Sequence, residues 1–313
     1  MSGKLSEVEG RIGTVHQLEA VITAMRGSAA ARSREARSRL DGIRAYAAVI
    51  GEAIGQALAL APAAEPTTRE AGSPQGHIVI VLSAQQGFVG SFNERVVGAA
   101  EGHLNAGGSE LLIVGDRGAM VAAERALTFG WSAPMVAHAE EAPLLASRIT
   151  DALYSRLEKD QVRRVTMIHA VPAPSATIEV VERVLVPFDF ARFKVTPRSI
   201  APITTLPVEQ LIADLAEEYV YAQLCEAVML SFAAENEARM TAMIAARSNV
   251  ARKLDELVAS FRRLRQEEIT GEIIELSAGS MPSGAKREAR GAVNLTKQPG
   301  GADEGGSTHC GGG

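Results

Sequence analysis

The sequence predicts an α/β protein with long helices: an antiparallel coiled coil of the N- and C-terminal helices plus a small Rossmann-like parallel α/β domain between them. Three observations predict it. Apolar residues recur with helical period, uninterrupted by proline, from Lys4 to about Leu60 and again from Val208 to about Leu276. Between these stretches, short β-rich runs alternate with helix-like ones, the pattern of a parallel sheet with crossover helices. Aromatic residues make up only 4% of the 313-residue chain and alanine is abundant, a balance that favours long helices over an aromatic-filled sandwich.

The first helix is anticipated by Leu5, Val8, Ile12, Val15 and Ile22, a heptad seam with one polar skip. Pro62 and Pro66 close it within the loop "APAAEPTTREAGSPQG", so residues 1–62 form the N-terminal segment. A helix of roughly 55 residues would be about 80 Å long, beyond the diameter of a small domain. The α/β segment, residues 63–207, opens with the strand His77–Leu82 ("HIVIVL"). Glu110–Gly118 and Arg163–Ala170 repeat the type, and "ATIEVVERVLVP" ends it. Helix-like stretches fall at Asn93–Leu104, Ala119–Phe129 and Ala142–Lys159. Residues 208–276 form the second long helix, on the order of 100 Å if continuous. Val250, Leu254, Leu257, Phe261 and Leu264 step by alternating fours and threes along a coiled-coil seam. The rhythm then slips by one position to Ile269, Ile273 and Leu276, which rotates the apolar face. Residues 277–313 are Gly-, Ser- and charge-rich and read as a disordered tail.

Composition narrows the function classes. A net charge of −5 argues against a generally basic nucleic-acid binder. Cys225 and Cys310 fall in a helical pattern and in the tail, so no disulfide framework is expected. There is no secretory leader pattern and no apolar run of membrane-spanning length, so a cytoplasmic location follows. The six histidines, His16, His77, His103, His138, His169 and His309, lack metal-ligand spacing. Ser83, Ser91 and Cys225 have no recognisable base or elbow, which leaves nucleophilic catalysis without support. The Asn294-Leu295-Thr296 sequon carries little meaning in a cytoplasmic chain.

Two features invite a sharper reading. "LSAQQGFVGSFNERV" (Leu82–Val96) follows a strand and opens a helix, as phosphate loops do, yet it offers only Gly87 and Gly90 and no Walker lysine. A tight turn with Ser91 or Asn93 near the helix start accounts for it better. "MRGSAAARSREARSRLDGIR" (Met25–Arg44) carries six arginines against Glu35 and Asp41, either a solvated face or a contact for an acidic protein surface or nucleic acid. Tyr46 is the only aromatic residue near it, which weakens the nucleic-acid reading.

The C-terminal helix "LCEAVMLSFAAENEARMTAMIAARSNVARKLDELVASFRRLRQEEITGEIIEL" (Leu224–Leu276) resembles that of the γ subunit of F-type ATP synthases. The likeness includes the A-x-E-x-x-A-R-M-x-A-M run and the R-Q-x-x-I-T-x-E-I-x-E signature. "QGFVGSFN" (Gln86–Asn93) is similar to the family's turn after the first strand, and "RIGTVHQLEAVITAMRGSAAAR" (Arg11–Arg32) to its first helix. The resemblance covers about Lys4 to Leu276. It implies a central rotor without an active site, cofactor or metal of its own. The partners it implies are the alpha and beta subunits of a catalytic ring, the epsilon subunit and a membrane c-ring, with no nucleic acid and no membrane span. Such a chain would sit peripherally on the cytoplasmic side of the bacterial inner membrane and couple ion flow to ATP synthesis or hydrolysis. By motif, Arg239, Arg265, Gln266, Thr270 and Glu272 on the C-terminal helix and Met25 and Arg26 on the N-terminal one are the expected contacts with the ring. The arginine-rich "RGSAAARSREARSR", "RSN" (Arg247–Asn249), Glu267-Glu268 and the long tail depart from the family pattern and point to a variant ATPase of the same class. Outside the resemblance, the residues leave open a nucleic-acid-binding coiled coil and an α/β enzyme binding a mononucleotide at Gly87–Gly90.

Overall fold

The computed structural model describes residues 2–61, 76–105, 108–157, 162–173, 178–195 and 203–279. The Gly-rich tail, with Asn294, His309 and Cys310, lies outside the described residues. The chain forms two compact units, residues 1–263 and residues 264–313.

In the first unit, helix α1 (Ser2–Leu58) carries a heptad over its whole length. The seam anticipated at Leu5, Val8, Ile12, Val15 and Ile22 continues through Ala29, Ser33, Ala36 and Leu40 to Ile50, Ile54 and Ala57, all buried or half-buried. The polar skip is Glu19, which pairs with Arg247 of helix α5 (Val208–Gly279) at 3.7 Å. Further along, Ser33 donates to Glu237 at 3.0 Å and Arg44 pairs with Glu226 at 2.8 Å, while Tyr46 bonds Glu218. Partner numbers fall along α5 as they rise along α1, so the two helices are antiparallel. Their contact narrows to alanine and serine at Ala29, Ser33 and Ala36, where small side chains let the backbones approach.

The α/β part lies between these helices in sequence. Strands β1 (Gly76–Leu82), β2 (Ser109–Val114), β3 (Phe129–Ala133), β4 (Val162–Pro172) and β5 (Ile178–Val186) form one sheet ordered β3-β2-β1-β4-β5. β1 is central and parallel to β2 and β4, with His77 opposite Ser109 and Leu82 opposite Val114. Its run of Val and Ile is buried on both faces, as a parallel strand covered by helices requires. Ile78, Ile80 and Leu82 pack beneath α4 (Ala142–Leu157) and the middle of α5, where Leu224, Val228 and Phe232 lie. Val79 and Val81 pack beneath α2 (Phe92–Leu104) and Ala122 of α3 (Asp116–Glu124). Because α5 supplies residues to both clusters, it is buried nearly all round from Val220 to Asn236 and forms the centre of the unit.

Three sequence expectations need correction. Glu110–Gly118 is not strand to its end: the chain turns at Gly115 (φ 100°), where a Cβ would lie 2.5 Å from the Ser83 carbonyl oxygen, and α3 starts at Asp116. Nor does the next helix reach Phe129; α3 stops at Glu124, Ala126 adopts φ 57°, and β3 follows as an exposed edge strand. The sheet is not wholly parallel, since β5 runs antiparallel to β4. Only five residues separate Pro172 from Ile178, too few for the crossover that a parallel neighbour demands.

After β5, Phe188 and Phe193 stack at 5.6 Å and both meet Tyr219 of α5 edge-on. This aromatic knot presses on α1 at Gly51 and Gly55; a Cβ on Gly55 would lie 2.3 Å from the Lys194 carbonyl oxygen. In the second unit, residues 264–279 are helical. The slipped apolar set predicted there, Ile269, Ile273 and Leu276, is exposed, as is Ile274.

Candidate functional site

Doubly wound sheets bind ligands outside the carboxyl ends of their strands, at the point where strand order reverses. Here that point lies between β1 and β4, and α5 occupies it. Ser231 donates to the Leu82 carbonyl at 3.0 Å. Arg239 donates through Nε to the Gly87 carbonyl and through Nη2 to the Gln86 carbonyl, both at 3.3 Å. The same guanidinium binds Glu235 at 2.6 Å and Asn236 at 3.1 Å, and the Arg239 and Glu235 side chains are only 5% and 4% exposed. Burial raises the Glu235 pKa above the ordinary carboxylate range, and Arg239 opposes that rise. Arg239, held by its desolvated partner Glu235 on the same helix, therefore fastens the turn after β1 to α5 through the two carbonyls.

The turn is held from the other side as well. Asn93 accepts from the Ala84 amide at 2.9 Å, so its side chain closes the turn instead of capping α2. Gln85 donates to Asp116 at 2.6 Å and accepts from the Met135 amide at 2.8 Å. This over-determination keeps Phe88 at φ 63°, a costly backbone for a bulky residue, and the residue is 68% exposed. Strained, exposed aromatic residues of this kind suit docking better than packing. The turn is a clasp and not a phosphate cradle: its carbonyls face an arginine, and it has no lysine.

Two further buried groups among the described residues are chemically quiet. Burial pushes the Cys225 thiol up to about 11 and His169 down to about 4, leaving an inert thiol and a neutral imidazole. Among the described residues, no group of three or more His, Cys, Asp or Glu could hold a metal ion. No helix among them is long and apolar enough to cross a membrane.

The seven residues singled out by motif have different local settings. Met25 and Arg26 are half-buried on α1, with Arg26 on the heptad seam. Arg265, Gln266, Thr270 and Glu272 are exposed on the helix of the second unit, where the Thr270 hydroxyl donates back to the Gln266 carbonyl at 2.8 Å. Arg239 is set apart from both groups by its burial and by the internal partners that take up its guanidinium. Sequence reasoning missed Phe88, whose exposure depends on the tertiary clasp. It also missed Leu18 and Val21, exposed at helical spacing from Met25, although that spacing was available to find them.

Comparison with known proteins decides what this arrangement belongs to. A family profile described as ATP synthase matches residues 4–281. The chain belongs to the ATP synthase gamma-chain family. Relatives named ATP synthase gamma chain include those of Ruegeria pomeroyi, 27% identical over 88% of this chain and 98% of that one, and Moorella thermoacetica, 28% identical with the same coverage. Among solved structures, a chain of the Euglena gracilis mitochondrial ATP synthase OSCP/F1/c-ring assembly matches with TM-score 0.62, 12% identity, and coverage of 93% of this chain and 100% of that one. A chain of the Tetrahymena thermophila mitochondrial ATP synthase central stalk/c-ring matches with TM-score 0.53, 19% identity, and coverage of 72% and 99%. As a gamma chain, the protein is a non-catalytic stalk subunit, in keeping with a crevice closed by its own helix.

Proposed function

We propose that this gamma chain is the central rotor of an F-type ATPase on the cytoplasmic face of a bacterial inner membrane. It transmits torque between a membrane ring and a ring of alpha and beta subunits, with an epsilon subunit as a further partner. The observation that carries the reading is the helix of residues 264–279. It bears a run of bulky apolar side chains, Ile269, Ile273, Ile274 and Leu276, exposed beside Arg265, Gln266, Thr270 and Glu272. Such a face is unfavourable in water and suits a collar of other polypeptides. Arginine meeting carboxylates on that collar gives charge-assisted contacts that can be exchanged among equivalent subunits.

Within this reading Met25, Arg26, Arg265, Gln266, Thr270 and Glu272 touch the collar directly. Arg239 acts through the turn that it clasps, presenting Phe88. The test is purification of the tagged full chain from its native cell. Recovery of ring-forming ATPase subunits in fixed stoichiometry supports the proposal; recovery of the chain alone, under conditions that preserve other membrane complexes, contradicts it.

A further inference from the structure

Strand alternation puts His169 of β4 on the same sheet face as Val165 and Met167, the face packed by α5. There it lines an open cavity of about 450 Å³, within the size range of small-molecule sites. The residue is only 1% exposed. Its Nδ1 donates to the Ala170 carbonyl at 3.3 Å, since a carbonyl can only accept, and burial keeps the ring neutral. The other nitrogen, Nε2, therefore carries a lone pair; it is buried and has no partner among the described residues. A buried acceptor in this state is costly, and a group that brings it a hydrogen is favoured.

The rest of the polar lining is cationic. Arg37, Arg44 and Arg183 face the cavity against a single acid, Glu226. Both oxygens of that acid are already spent: Oε1 accepts from Arg44 Nε at 2.8 Å and Oε2 from Arg183 Nη1 at 3.4 Å. Each of these two guanidiniums gives one N–H to Glu226 and no other to the described residues, so further donors remain on both. The Arg44 and Arg183 side chains are 53% and 30% exposed, which sets their donors nearer the mouth than the buried imidazole. Leu40 and Leu230 supply apolar wall.

We propose that this cavity binds a small hydroxylated oxyanion, a sugar phosphate or a sugar acid, whose hydroxyl donates to His169 Nε2 and whose oxyanion is held by Arg44 and Arg183. The two ends of the site call for different chemistry, and that excludes simpler occupants. A carboxylate side chain brings no hydrogen for Nε2, and an uncharged polyol leaves the guanidiniums unanswered. Glu226, paired to both arginines, holds their forks in place, which lowers the ordering cost of binding. The rotor reading makes no use of this cavity, so the two stand or fall separately.

The test is calorimetric titration of the full chain with ribose 5-phosphate and with gluconate, using ribose and inorganic phosphate as controls. At least one of the two probes should bind with a Kd near or below about 1 mM, and which of them binds names the oxyanion. Ribose and inorganic phosphate should each bind roughly tenfold more weakly or worse. With isotope-labelled histidine, the ring resonance that is missing from His169→Leu should move as the probe binds. His169→Leu and Arg44→Met should each weaken binding roughly tenfold, His169→Gln, which returns an acceptor, should restore part of it, and Arg148→Met on exposed α4 should change nothing. Arg44→Met leaves Glu226 its Arg183 partner, so it tests the site even if the His169 variants do not fold. No saturable binding of either probe up to about 10 mM would overturn the proposal. So would binding indifferent to Arg44→Met, or equal binding of inorganic phosphate with the His169 resonance unmoved.

Discussion

Replacing Arg239 with alanine removes one side of a pair that is almost fully desolvated. Deleting one partner of a buried ion pair costs about 3–5 kcal/mol, because the other charge stays behind. The carbonyls of Gln86 and Gly87 lose their donors as well, a further cost of about 1 kcal/mol each where water does not replace them. Glu235 can relieve part of the penalty by taking up a proton, so the net loss should be about 4 kcal/mol at neutral pH. The single tryptophan, Trp131 on β3, reports unfolding of the sheet in urea. Burial already raises the Glu235 pKa, and without Arg239 only hydrogen bonds from the Gln86 and Gln85 backbone oppose that rise. The folded variant then binds more protons than the unfolded chain above the ordinary carboxylate range, so its deficit should shrink as pH falls from about 8 to about 5.5. Glu235→Gln together with Arg239→Gln should recover about half of the loss, since no lone charge remains. A loss below about 1 kcal/mol for Arg239→Ala, or a deficit that does not vary with pH, would refute the clasp.

Gly55→Ala should cost about 1–3 kcal/mol or more, since the new methyl would meet the Lys194 carbonyl; thermal unfolding checks it, and a neutral result would show that the loop after β5 yields freely. His169, with a pKa pushed down to about 4 by burial, gives stability that is complete above pH 6.5 and is lost as pH falls toward 4, about 3 kcal/mol over that window. His169→Leu should flatten this dependence in urea titrations; an unchanged slope would contradict it. Ile269→Ser with Ile273→Ser should leave the free chain within about 0.5 kcal/mol of its original stability while weakening assembly, and a large loss in the free chain would show that another part of the protein covers these side chains. Arg265→Ala with Gln266→Ala should reduce coupling of ATP hydrolysis to ion transport in the reconstituted complex while sheet unfolding is unchanged; full coupling would remove both residues from the ring contact.

Much of the fold was legible because its signals are local. The proline-free heptads of α1 and the Val- and Ile-rich runs of β1, β2 and β4 are set by periodicity and branching, which neighbouring residues display directly. β3 was not legible, since "FGWSA" at an exposed edge has neither alternation nor a continuous apolar run. The antiparallel direction of β5 was available in the five-residue link from β4, a length argument and not a pattern. Arg239 is the instructive case. Its motif made it look like a surface contact, whereas the structure buries it against carbonyls 152 and 153 residues away. Burial of a charge is decided by partners distant in sequence, and no window of the sequence displays them. Phe88 stayed hidden for the same reason: its exposed, left-handed backbone is imposed by that distant arginine and by Gln85 and Asn93.

The rotor account is tested most directly by watching the chain turn. Cys225 is buried with its thiol pushed up to about 11, so after Cys310→Ser an introduced Asp151→Cys on exposed α4 provides a selective handle for a gold particle. With the catalytic ring fixed to a surface, adding ATP should drive the particle in one direction in discrete steps. A particle that stays still while the same molecules hydrolyse ATP would contradict the account.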